Sequence, residues 1–569
     1  MIRETLQKEI EEILKELGVN APKVILEHPT ELSHGDYATN VALSYAKQLG
    51  KNPKVLAESI IQNLKQKDNS LIADISVAGP GFINITLAPA FYTESLKTIL
   101  AQEQRWGANT VLADKKVMVE YTQPNPFKPF HIGHLMSNSI GEAVSRLVEF
   151  SGANTIRANY QGDVGLHVAK AIWGILQRGK PNESLDVSAQ AQYIGECYSY
   201  ASGLYEDEKN TKDEVDALNR KIYDRSDEAI NALYDWGRAI TLEAFEIIYK
   251  KLGTSFNHYF FESQMAPVGT KIVQDNVPNV FEESDGAIVF HAEKYDPKLH
   301  TRVFISSLGL PMYETKEIGL TMTKFEKENP DISITTTAVE QKEYMKVVTK
   351  AIEQIQPEYA TRMKHVTHGM MRLASGKMSS RKGNVVTGES LIEDSCDVVR
   401  EKIKDREFSA DDKEHIAQIV GIAALKYSIL RSSLGSDIVY DFEKSISFEG
   451  DSGPYLQYAA VRAATILSKA KGLGFTPTVH ETITPSALER YLYRFPEVVV
   501  RSLQDYEPHH IVTYLSELAG LFNQYYASEQ VIVATDKTET EHRLAIVQAF
   551  HQTMQNGLNL LAIQIPEKM

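Results

Sequence analysis

Residues Val117 to Leu135, VMVEYTQPNPFKPFHIGHL, constrain the fold of this chain more than any other stretch. Val117–Tyr121 is a short apolar, β-branched run. Gln123–Pro129 then carries three prolines, which neither a central strand nor a helix interior accepts. Leu135 opens a helical pattern with Met136, Ile140, Val144 and Leu147 on one side. The pattern predicts strand, loop, helix.

A strand that runs through a loop into a helix start is where α/β folds hold phosphates, because unpaired N–H groups and the positive end of the helix dipole face the ligand. His131-Ile132-Gly133-His134 falls at that helix start. Two residues three apart share a helix face, and Gly133 between them has no Cβ to hold a flat nucleobase or a phosphate away. The alternative is a pair of capping or core histidines. A second element, Gly376-Lys377-Met378-Ser379-Ser380-Arg381-Lys382-Gly383, puts three cations and two hydroxyls between two glycines. Read alone, it is a solvated basic loop.

Together, HIGH at 131–134 and KMSSRKG at 377–383 resemble the two signature motifs of class I aminoacyl-tRNA synthetases, with KMSSR standing where that class has KMSKS. The resemblance implies a multidomain α/β protein with a doubly wound Rossmann-type catalytic domain. It also implies that ATP lies between the motifs while an amino acid carboxylate attacks the α-phosphate. Negative charge grows on the phosphate oxygens in that displacement, so cations and hydrogen-bond donors favour the transition state. His131, His134, Lys128 and Lys377 are the catalytic candidates; His131, Gly133, His134, Lys377, Met378, Ser379 and Ser380 are those for ATP, expected as its Mg2+ complex. Lys128 matches the lysine that many arginyl enzymes keep just before HIGH, and its plain reading is a solvated loop lysine.

Residues 1–110 read as a small α+β domain: a helix on Ile2, Leu6, Ile10, Ile13, Leu14 and Leu17, a strand near Val24–Leu26, a long helix from about Tyr37 to Lys65, strands at Ile72–Val77 and Phe82–Leu87, and a helix from Ala90 to Trp106. Gly35-Asp36-Tyr37-Ala38-Thr39-Asn40, Asn52-Pro53-Lys54 and Val77-Ala78-Gly79-Pro80-Gly81-Phe82-Ile83-Asn84 resemble the extra N-terminal domain of arginyl-tRNA synthetases, which grips the tRNA elbow. Phe82 and Asn84 suit that task, a ring to stack on an unpaired base and an amide for its edge. Phe82 as core and Asn84 as a strand-end polar residue is the other reading.

Tyr160-Gln161-Gly162-Asp163-Val164-Gly165 resembles the family's Y-x-G-D-x-G, with Asp163 placed either for a ribose or ammonium group or as a helix cap. Arginine's guanidinium offers five fixed donors, so its pocket wants carboxylate and amide oxygens. By the resemblance those roles fall on Glu120, Asn125, His131, Tyr313, Glu317 and Gln341. Where the family has Y-x-T-R-D, this chain has Tyr313-Glu314-Thr315-Lys316-Glu317, which exchanges the guanidinium's Asp for Glu and its neighbour Arg for Lys. G-H-L-R-S-T likewise becomes Gly133-His134-Leu135-Met136-Ser137-Asn138.

Gly453-Pro454-Tyr455-Leu456-Gln457-Tyr458-Ala459 opens a long helix and resembles the start of a helical anticodon-binding domain. The expected organisation is an N-terminal domain at 1–110, a catalytic domain at 111–390 with a helical insertion at about 171–290, a helical connection at 391–450 and an all-α anticodon-binding domain at 451–569.

Composition bounds the rest. A net charge of −15 argues against non-specific coating of nucleic acid yet allows one local basic face. No apolar run reaches membrane-spanning length, and the acidic helical N-terminus is unlike a signal peptide. Two cysteines, Cys197 and Cys396, make neither a disulfide framework nor a zinc site. The expectation is a cytoplasmic, monomeric, zinc-free arginine–tRNA ligase that takes arginine, ATP and tRNA(Arg). Its rivals are another class I synthetase, a small nucleotidyltransferase built on H-x-G-H, and a catalytically inactive tRNA-binding paralogue.

Overall fold

Five parallel strands carry the stretch that opens the sequence argument: β1 (Lys116–Glu120), β2 (Asn154–Gln161), β3 (His258–Phe261), β4 (Ile332–Ala338) and β5 (Met363–His368). Their order across the sheet is β3-β2-β1-β4-β5. The chain winds one way from β1 through β3 and the other way through β4 and β5. The switch point therefore lies between β1 and β4, and ligands of such sheets bind outside the carboxyl ends there. Val117, Met118, Val119 and Glu120 of central β1 are all fully buried.

The structure is a computed structural model that describes residues 2–67, 70–182, 184–374, 387–481, 484–533 and 535–569. These fall into two units. The first comprises 1–107, 458–499 and 514–557, and the second 108–457, 500–513 and 558–569.

In the second unit the helix Ile132–Phe150 covers the sheet and is buried along most of its length. Its close approach depends on Gly141, where a Cβ would stand 2.2 Å from the Cβ of Tyr121. Between β2 and β3 run the helices Leu166–Arg178, Val187–Asp207, Lys209–Asp224 and Glu228–Lys251. The helical stretch expected to reach about residue 290 ends at Lys251 instead. Gly253, at φ +67°, turns the chain, and the aromatic run His258-Tyr259-Phe260-Phe261 pairs with β2. Residues 282–305 then make a three-stranded antiparallel sheet.

Two helices set the pocket described below. Glu262–Asp275 and Tyr313–Glu328 cross with their backbones almost touching, at Gly269 and Gly319. A Cβ on Gly269 would stand 1.9 Å from the Thr315 carbonyl oxygen, and one on Gly319 would stand 2.2 Å from that of Met265.

In the first unit Phe82–Leu87 is the middle strand of an antiparallel sheet with Tyr37–Thr39 and Ile72–Ala78. The long helix expected from Tyr37 to Lys65 is instead a strand, a short helix Val41–Tyr45 and a second helix Pro53–Gln66. Asn52 explains the break: its side chain accepts from the Lys54 N–H, and Pro53 begins the new helix. No strand forms at Val24–Leu26, where Glu27 makes only an isolated bridge to Ala38. The closing helix is Pro89–Gln102.

The C-terminal helices share this unit's core. Tyr493 packs into the N-terminal cluster, Asp36 accepts two bonds from Arg490 at 3.0 and 3.1 Å, and buried Glu497 accepts from Tyr37 and pairs with His28 at 3.0 Å.

Candidate active site

His131 caps the helix Ile132–Phe150, directly beyond the carboxyl end of β1. Its backbone N–H donates to Nδ1 of His134 at 3.1 Å, and the two rings stack with centroids 3.4 Å apart. Because Nδ1 of His134 accepts, its ring is neutral with the proton on Nε2. Burial holds His134 well below the usual histidine range, helped by His131 and Lys128. His131 is held down to about 4 by the protein around its ring and then by Lys128. Both rings are thus neutral donors at physiological pH. Gly133 serves this stack, since a Cβ there would press on Cε1 of His131 at 3.0 Å.

Lys128 Nζ lies 5.2 Å from the Tyr198 ring centroid, and its charge also reaches His167, which burial lowers to about 3. Lys377, Met378, Ser379 and Ser380 lie outside the described residues. The chain just after them is fastened to HIGH: Thr387 bridges to His131, and the Gly388 N–H donates to the Phe130 carbonyl at 2.7 Å. The described chain that resumes at Thr387 therefore meets HIGH.

Beside them is a buried acidic pocket. Glu120 accepts from Lys324 Nζ at 2.7 Å and from Gln123 Nε2 at 2.7 Å. Glu262 accepts from Lys316 Nζ at 2.7 Å. The carboxyl of Glu317, buried and close to both, is pushed up to about 8, first by burial and then by the charge of Glu120. The phenols of Tyr160 and Tyr344 face the same carboxylates, with Tyr160 Oη buried and unpartnered. Asn125 Oδ1 accepts from the Gly162 N–H at 3.0 Å, and a Cβ on Gly162 would lie 2.8 Å from that oxygen and 3.1 Å from Glu262 Oε1. Glu120 and Glu262 are each matched by an ammonium group, and among the described residues the Glu317 carboxyl has no ion-pair partner, so it is the group that can give up its proton to an arriving cation.

Three consecutive parts of the chain match known protein domains. Residues 2–87 match the arginyl tRNA synthetase N terminal domain, 95–442 the class I (R) tRNA synthetase catalytic domain, and 456–569 the DALR anticodon binding domain. The arginine–tRNA ligase of Halothermothrix orenii is 30% identical, with 100% of this chain and 99% of that protein covered. The chain belongs to the arginyl-tRNA synthetase family. The corresponding ligase of Clostridium perfringens is 29% identical over 100% of this chain and 98% of its own length. The Thermus thermophilus arginyl-tRNA synthetase structure shares the fold, with a TM-score of 0.82, 24% identity and 100% of both chains covered.

Within this synthetase fold the sequence-expected residues divide. His131, Gly133, His134, Lys128, Glu120, Asn125 and Glu317 gather around the switch point. Tyr313 lies at the rim, 64% exposed, with Lys316 Nζ 5.1 Å from its ring centroid. Gln341 is exposed in the short turn that follows β4. Phe82, 41% exposed, begins its strand in the first unit, and Asn84 sits in register with Ala38 and Ser76.

Sequence reasoning missed Glu262, Tyr160 and Tyr344, whose signal was only an acid and two tyrosines near strand ends. Asp163 accepts from Ser263 N and Oγ at 2.9 and 2.7 Å, Arg238 Nε at 3.0 Å and Tyr234 Oη at 3.2 Å. That set saturates the carboxylate and makes it a latch between helices, while Gly165 takes the cap position.

Proposed function

We infer that the chain is an arginine–tRNA ligase, which joins arginine to ATP as arginyl-adenylate and passes the arginyl group to the 3′-terminal adenosine of tRNA(Arg). The observation that carries this reading is the acidic pocket of Glu120, Glu262 and Glu317 beside the stacked HIGH histidines. A guanidinium is planar, permanently charged and rich in donors, and that pocket offers acceptors together with a carboxyl, Glu317, that can release its proton to meet the charge.

In the first step an oxygen of the arginine carboxylate attacks the α-phosphorus of MgATP. The new P–O bond forms as the bond to the bridging oxygen breaks, and that oxygen leaves with pyrophosphate. The Nε2–H of His134 and the neutral His131 donate to oxygens on which charge grows, and Lys128 adds a full positive charge beside them. Lys377, Ser379 and Ser380 complete the phosphate site in this reading. Donors held in place before the reaction cost no reorganisation during it. In the second step the adenosine hydroxyl attacks the carbonyl carbon and AMP leaves. Glu317, Glu262 and Tyr160 hold the guanidinium, with Asn125, His131, Tyr313 and Gln341 directed at the amino acid's other end. Phe82 and Asn84 meet the tRNA elbow. The reading carries with it a monomer working in the cytoplasm.

Aminoacylation tests it. Radiolabelled arginine should become acid-precipitable on total tRNA only with ATP present. Failure to charge tRNA with arginine while another amino acid is charged would replace the reading with another class I specificity, and failure with every amino acid would favour the inactive paralogue.

A further inference from the structure

We propose that a lysine-lined groove at the open edge of the sheet, between β5 and the helix Lys342–Ile355, binds the phosphodiester backbone of tRNA. This rests on the ligase reading and adds a docking surface to it. The groove is a cavity of about 460 Å³, lined by Lys342, Lys346, Lys350 and Lys364 together with Thr349 and His365.

The helix fixes the arrangement. Met345, Val347, Val348 and Ile352 bury its apolar side, which turns 342, 346 and 350, four residues apart, onto one outward face. Eight residues of α-helix rise about 12 Å, so the stripe is longer than one phosphate or pyrophosphate group and suits a run of them. Lys364 faces the stripe from β5, an edge strand.

The charges are available. Among the described residues Lys346 and Lys350 have as ion-pair partners only the surface acids one turn away, Glu343 and Glu353. Such solvent-exposed pairs contribute little and exchange readily for phosphate. Among the described residues no acid lies within ion-pair distance of Lys342 or Lys364. Asp296 and Glu353 are the acids in the lining, against four lysines. His365 adds no charge: its Nε2 is bonded to Thr337 Oγ1 at 2.7 Å, and burial lowers it to about 4.

The chemistry favours backbone over bases. Among the described residues the lining has hydroxyls and ammonium groups but no Phe, Tyr or Trp on which a base could stack. Ammonium groups act as point charges towards phosphate and carry no sequence preference. On a chain with net charge −15 the long-range field repels RNA, so docking needs local cationic strips of this kind.

The test is equilibrium binding of tRNA to the full chain as a function of KCl concentration, with Lys342→Glu/Lys364→Glu compared with wild type and with the exposed control Lys444→Glu. Each phosphate contact contributes about 0.9 to the slope of log K against log salt. The doubly substituted chain should lose tenfold or more in tRNA affinity at low salt and about two contacts of slope, with circular dichroism and the KM for arginine unchanged. Lys346→Gln/Lys350→Gln should show a smaller loss in the same direction. Wild-type affinity and slope in both variants would overturn the proposal. So would an unchanged tRNA affinity combined with weaker inhibition by inorganic pyrophosphate, which would assign the groove to a free phosphate compound. Binding is read without charging, so a wild-type chain that binds tRNA but charges no arginine would refute the ligase reading and not the groove.

Discussion

Lys324 Nζ stands 2.7 Å from Glu120 Oε2, and both side chains are buried, at 4% and 1% exposure. The acceptor at the end of the central strand is thus already held by a cation from the helix that also carries Glu317. Buried pairs of this kind tolerate removal of both partners better than removal of one. Lys324→Met should destabilise the chain by about 3–5 kcal/mol, and the added Glu120→Gln should recover much of that. Thermal or urea denaturation of the two single variants and the double variant gives the coupling. Additive losses would contradict the pairing's importance.

In the proposed reading Glu317 gives arginine binding a pH dependence. Its carboxyl, raised to about 8, holds a proton at neutral pH until a guanidinium arrives. The KM for arginine should therefore fall as pH rises from about 6 to above 8, with a proton released on binding near pH 7. Stability moves the other way. Between the unfolded value near 4.5 and the folded value near 8 the folded chain holds a proton that the unfolded chain has lost, so rising pH through that window removes stability from the arginine-free protein. Glu317→Gln should flatten the KM profile and raise KM about tenfold or more, from the loss of a charge-assisted bond. Glu317→Asp, as in the family pattern, should keep the profile.

His134→Ala removes a fixed donor whose orientation the His131 N–H sets. The expected loss is about 10²–10³ in kcat, with KM for arginine little changed. Gly133→Ala should lose activity too, because its methyl meets the His131 ring at 3.0 Å. Retained kcat in both variants would remove the histidine pair from the mechanism.

Gly269 and Gly319 hold the helices of Glu262 and Glu317 against one another. Gly319→Ala must push them apart, since a methyl 2.2 Å from a carbonyl oxygen has nowhere to go. A fall in Tm and a rise in the KM for arginine should appear together, while the KM for tRNA stays the same.

The strand-loop-helix of 117–150 was legible because β-branched residues, prolines and a helical apolar stripe follow one another without overlap. The two motifs were legible as residue types whose chemistry a phosphate site needs. Glu262 was not, because its role comes from Gly269 and Gly319, which bring together helices about fifty residues apart in the chain. The pairing of Glu120 with Lys324 was hidden for the same reason. The break at Asn52-Pro53 was written in the sequence as a cap followed by a helix-start proline, and helical periodicity on either side obscured it. Asp163 shows the limit of motif reading, since its four donors come from two helices about seventy and a hundred residues further along the chain.

ATP–pyrophosphate exchange, run with each amino acid in turn and with and without total tRNA, tests the central claim most directly. Exchange with arginine alone among the amino acids, and dependent on tRNA, is the predicted result. Exchange with a different amino acid would contradict the assignment of the Glu120, Glu262 and Glu317 pocket to a guanidinium.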